Sequence, residues 1–107
     1  MVIRNLFNDI DLPHGNEEVF DSLCKAKNVH VERIISNGQT TPPGKWYEPE
    51  RYEWVILLQG NASLEMEEGK IIHLSKGDHL LIPAGQKHRV SYTSKKPFCI
   101  WLAVHFD

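Results

Sequence analysis

The chain has 107 residues, 41% of them hydrophobic and 24% charged, which is the make-up of one globular domain and not of a disordered segment. A formal charge of −2, without a basic run, leaves no electrostatic footprint for nucleic acid. The longest apolar run, Trp54 to Leu58, is far too short for a membrane span.

Residues 1–15 read as an irregular arm with apolar anchors at Leu6, Phe7, Ile10 and Leu12 and a break at Pro13-His14-Gly15. The acids Asp9 and Asp11 stand where a signal peptide needs an apolar stretch. Two cysteines, Cys24 and Cys99, make no disulfide framework; both read as packing thiols, and a cytoplasmic setting is expected. One short helix is predicted next. Asn16 caps it, Glu17 and Glu18 complement its dipole, and Val19, Phe20 and Leu23 share a face. Residues 1–28 therefore form an arm plus short helix, and 29–107 the body of a single domain.

From Val29 onward the pattern is strand and turn. Val29–Ile35 is rich in β-branched residues, and Thr41-Pro42-Pro43-Gly44 breaks the chain after it. Ala62, Leu64 and Met66 alternate with Ser63, Glu65 and Glu67. Turns at Ser75–Asp78, Pro83–Gly85 and Lys95–Pro97 separate four further strands, the first over Ile71–Leu74 and the last over Phe98–Phe106. Short strands with a turn every 8–12 residues predict an all-β sandwich or barrel.

Glu53 is the odd residue in its strand, because Val55 and Leu57 on its own face are apolar, and so are Tyr52, Trp54 and Ile56 on the other. An inward carboxylate has to be paired, hydrogen-bonded or metal-bound; alternatively, Glu53 sits in solvent at a frayed strand end. Upstream, Trp46 and Glu48 project to one side of an extended segment and Tyr47 and Pro49 to the other. With Trp46 and Glu48 inward, an aromatic wall stands beside a second carboxylate, although a bulge at Pro49 would exchange Glu48 for Glu50. His88 shares a face with Val90 and Tyr92, just past a tight turn. His30 and His73 read as exposed, and His79 and His105 as undecided.

Gly77-x5-Pro83-x-Gly85-x2-His88 resembles the second motif of the cupin superfamily, G-x5-P-x-G-x2-H-x3-N, with Tyr92 in place of the final Asn. Glu53-x6-Gly60 is similar to the end of the first cupin motif, G-x5-H-x-H-x3,4-E-x6-G, but the histidine positions hold Trp46 and Glu48, or Tyr47 and Pro49. The resemblance implies an all-β jelly-roll barrel. It also implies a degenerate metal site of Glu48, Glu53 and His88, able to hold Mn, Fe, Ni or Zn beside a pocket wall at Trp46. Tyr47 or Tyr92 would act there as acid or substrate donor on a small organic molecule. Two other readings stay open: a metal-free acid–base enzyme with His88 as base, and a binding or sensing module without turnover. A homodimer is expected, with Trp101 as an outward apolar contact.

Overall fold

Alternating β-branched and polar residues lead to eight strands in a computed structural model that describes all 107 residues. They are β1 (Val19–Ala26), β2 (Val29–Ser36), β3 (Tyr52–Gln59), β4 (Ala62–Met66), β5 (Ile71–Leu74), β6 (His79–Ile82), β7 (His88–Thr93) and β8 (Cys99–Phe106). Hydrogen bonding orders them as a five-stranded sheet, β1-β2-β8-β3-β6, facing a three-stranded sheet, β5-β4-β7. All pairings are antiparallel. The all-β jelly-roll expectation is met.

The predicted short helix is not there. Val19–Ala26 is instead the edge strand of the larger sheet, in register with β2 from Val19↔Ile35 to Ala26↔Val29 across a two-residue turn at Lys27-Asn28. Two helical turns cannot hold themselves together in water, whereas the same residues complete a ladder on a ready-made neighbour. Cys24, on this edge, is exposed and packs nothing; Cys99 is fully buried, as a packing thiol should be.

Side chains from both inner faces fill the space between the sheets: Ile34, Val55 and Leu57 on one side, Leu64, Met66 and Val90 on the other. Gly60, at φ +92°, turns the chain from β3 into β4; a Cβ there would lie 2.8 Å from Cys99 Sγ and 2.9 Å from Ser94 Oγ, so no larger residue fits. The arm covers part of the outer face. Arg33 points outward, is 8% exposed, and donates to the carbonyls of Leu6, Asn8 and Asp9 and to the Asp21 carboxylate.

Trp101 is not an outward contact. It is 3% exposed, belongs to the core, and its Nε1 donates to the buried Ser36 Oγ at 3.0 Å. The last strand is apolar on both faces over most of its length, so hydrophobicity alone does not say which face turns in. Register decides it: Trp101 lies opposite the inward Ile34 and Leu57.

Candidate functional site

At one end the two sheets part around a cavity of about 720 Å³. Strand parity supplies its walls. His30, Glu32 and Ile34 alternate inward on β2, Glu53 and Val55 on β3, and Trp101 and His105 on β8. The facing sheet adds Leu64, His88 and Val90. The floor is thus apolar and the mouth carries carboxylates and imidazoles.

Glu53 sits in the middle of this polar set. Its side chain is 15% exposed, it lies opposite His105 in the β3–β8 ladder, and its Oε1 is 3.9 Å from His88 Nε2. Burial pushes its pKa up, while His105 and His88 pull it down and Glu32 raises it further. His88 is positioned twice over. Its backbone bridges Tyr47, with Tyr47 N–H donating to His88 O at 2.8 Å and His88 N–H to Tyr47 O at 3.0 Å. Its ring Nδ1 donates to Gln86 O at 3.0 Å. A carbonyl only accepts, so in the neutral ring Nδ1 carries the proton and Nε2 presents its lone pair toward Glu53.

On the other wall, His105 Nε2 lies 2.8 Å from Glu32 Oε1, and this partner holds the His105 pKa above the usual imidazole value. His30 lies beside it, ring centroids 5.9 Å apart, and its Nε2 meets Ser22 Oγ at 2.9 Å. Glu18 enters from the segment before β1 and accepts a hydrogen bond from Ser36 Oγ. Burial raises its pKa, the Ser36 bond lowers it, and Glu53 raises it further.

Of the expected site residues, Glu53, His88, Tyr47 and Glu48 line this cavity, and Glu50 lines it as well as Glu48. Tyr47 is 46% exposed, and burial raises the pKa of its hydroxyl. Trp46 is no pocket wall: it is 38% exposed and outside the lining, because the Tyr47–His88 bridge turns Tyr47 inward instead. Tyr92 does not share the His88 face. The register slips at Ser91, so that Leu64 pairs with Val90 but Ser63 with Tyr92, and Tyr92 emerges 51% exposed outside the cavity. The metal set does not assemble, since no group of three His, Cys, Asp or Glu side chains is placed to share an ion. Glu53 and His88 approach one another while Glu48 stays exposed at the mouth, so the three expected donors do not fit a metal centre.

Glu18, His30, Glu32 and His105 join the site without standing out in the amino-acid sequence. Glu18 suits the start of a helix that does not form, and His30 reads as exposed although it lines the cavity. The available signal is the i, i+2 spacing of His30 with Glu32, which puts both on one strand face.

Comparison with known proteins places the fold. Residues 33–105 match the Cupin domain family, so the chain belongs to the cupins. A crystal structure from Ralstonia eutropha JMP134, of a protein provisionally named a mannose-6-phosphate isomerase, is 40% identical over 100% of this chain and 99% of its own, with a TM-score of 0.92. An RmlC-like cupin of double-stranded β-helix fold from Methanocaldococcus jannaschii shares the fold at a TM-score of 0.73 and 15% identity, over 99% of this chain and 90% of that one. The RCS-specific HTH-type transcriptional activator RclR of Escherichia coli K12 is 40% identical over 47 residues, 44% of this chain. This chain spans only 16% of that curated relative's length.

Proposed function

We propose that this cupin binds a small organic molecule in the acid-lined cavity and moves a proton on it with Glu53 and His88. The observation that carries this reading is the 3.9 Å separation of Glu53 Oε1 from His88 Nε2 in the polar part of a cavity of about 720 Å³. That distance is too long for a hydrogen bond between them and suits two groups that meet through a ligand. Burial keeps a proton on Glu53 to higher pH, which suits it to donate, while His88 Nε2 offers the accepting lone pair. Apolar walls with a few convergent polar groups are the usual make-up of a small-molecule site. The similarity to a protein named an isomerase is in keeping with proton transfer.

The test is hydrogen exchange at carbon in D2O, followed by NMR, with glyceraldehyde, mannose, glucosamine and mannose 6-phosphate. At least one should gain deuterium beside its carbonyl carbon, and Glu53→Gln and His88→Gln should each slow that exchange by about 10²-fold or more. Elemental analysis of the same samples tests a divalent ion, Mn, Fe, Ni or Zn, for which Glu53 and His88 are the two available protein donors.

A second reading, ligand binding without turnover, is favoured by the similarity to a transcriptional activator. Saturable binding with no exchange on any substrate would select it.

We place the protein in the cytoplasm, in keeping with two unpaired thiols on separate strands, and as a homodimer. The supporting surface is the part of the outer sheet face that the arm leaves open. Leu81 is 51% exposed there, beside Trp54, and Tyr52 stacks on Phe106. Leu81→Glu should lower the sedimenting mass to that of one chain; an unchanged dimer rejects this face.

A further inference from the structure

The charge of the ligand follows from which cavity groups lack partners. Five carboxylates line or rim the cavity, Glu18, Glu32, Glu48, Glu50 and Glu53, against two fixed cations, Lys25 and Arg51. Arg51 is engaged elsewhere: its Nε lies 3.0 Å from Asp107 Oδ1 and its Nη2 donates to Lys27 O. Glu32 has His105 as counter-charge. Glu18 and Glu53 have none within hydrogen-bond distance. The partner of Glu18 is the neutral Ser36 hydroxyl, and the nearest cationic candidate to Glu53 is His88 at 3.9 Å.

His88 supplies an independent sign that something polar belongs between these groups. Its side chain is 7% exposed, its Nδ1 is bound to Gln86 O, and its Nε2 faces the cavity without a hydrogen-bond partner. That nitrogen is not sealed from solvent, so a ligand that displaces water there must replace its hydrogen bond. Once Glu18 and Glu53 have ionised, the available groups are acceptors over an apolar floor: two carboxylates and one imidazole nitrogen. A species with N–H donors, positive charge and no acceptor complements them, as an ammonium group does. A phosphate would meet these carboxylates with no free guanidinium to hold it. A bare metal ion needs donors that converge, and here they do not.

We infer that the cavity selects a small organic ammonium compound, a primary or secondary amine on a compact and largely apolar skeleton, with its N–H groups toward Glu18, Glu53 and His88 Nε2. This rests on the reading of the cavity as a small-molecule site and adds the charge class of the ligand.

Calorimetric titration of the full chain with 2-phenylethylamine, 2-phenylethanol and phenylacetate compares three charges on one skeleton, with mannose 6-phosphate as a fourth probe. The amine should bind about tenfold or more tighter than the alcohol, and neither anion should saturate. Glu53→Gln should bring the amine down to the level of the alcohol. Lys25→Gln, at an exposed position that leaves the core intact, should tighten amine binding about twofold by removing a like charge; unchanged or weaker binding counts against the inference. Alcohol or mannose 6-phosphate binding as tightly as the amine overturns the ammonium assignment and keeps the small-molecule cavity. No saturable binding by any of the four overturns both.

Discussion

The two ends of the same β-sandwich are built by opposite rules from the same strands. At the closed end, inward positions are filled by Leu57 and Cys99, both 0% exposed, and by Ala62 and Leu74 from the facing sheet. At the open end the same alternation, continued along β2, β3 and β8, delivers His30, Glu32, Glu53 and His105. The closed end gains from every methyl it hides. The open end gives up that gain, since each partly buried carboxylate there is desolvated, and Glu32 alone among them has a close counter-charge. A fold that keeps such an end trades stability for a pocket with chemistry in it.

The largest effect expected from this contrast is at the closed end. Leu57→Ala should cost about 2–5 kcal/mol in denaturant unfolding, because a fully enclosed side chain leaves a cavity that its neighbours cannot fill. The matched change at the open end, Glu53→Gln, should go the other way and raise stability by about 1 kcal/mol near pH 8, by removing a desolvated charge at nearly constant volume. If both changes destabilise equally, the two ends do not differ in this way.

A smaller effect is expected in the pH dependence of the unmodified chain. Burial raises Glu18 and Glu53 above the ordinary carboxylate value near 4.5, and Glu32 raises His105 above the imidazole value near 6.5. All three bind their protons more tightly folded than unfolded. Their contribution is therefore fully present below the unfolded values and is lost as pH rises through the folded ones. The melting temperature should fall by a few degrees between about pH 5 and pH 8, and Glu53→Gln should flatten the more acidic part of that slope. A melting temperature that rises over this interval contradicts the assignment.

Much of the site is legible from the resemblance of two segments to the cupin motifs. The Gly77–His88 run and Glu53-x6-Gly60 lead to His88 and Glu53, which do come within 3.9 Å of each other. Where pattern and structure part, the cause is strand pairing: faces that are equally apolar, registers that slip, and a neighbour that turns a helix start into an edge strand. Trp101 reads as outward because both faces of its strand carry apolar residues for most of their length. Tyr92 reads as a neighbour of His88 because a one-residue slip at Ser91 leaves no trace in the hydrophobic pattern. Glu18 reads as helical because its local residues suit a helix start, and only a neighbouring strand makes a better use of them.

By itself the amino-acid sequence determined the strand-and-turn rhythm, the tight turn at Pro83–Gly85, and the presence of a carboxylate on an otherwise apolar strand. These are local matters, set by β-branched runs, turn chemistry and alternation within a few residues. Only the tertiary structure decided which polar side chains meet. Glu53 faces His88 across two sheets, His105 takes Glu32 from a neighbouring strand, and Glu18 reaches Ser36 from the edge. Each meeting joins residues 18 to 73 positions apart, and such partners are chosen by strand order and register across the sandwich, which no local pattern records.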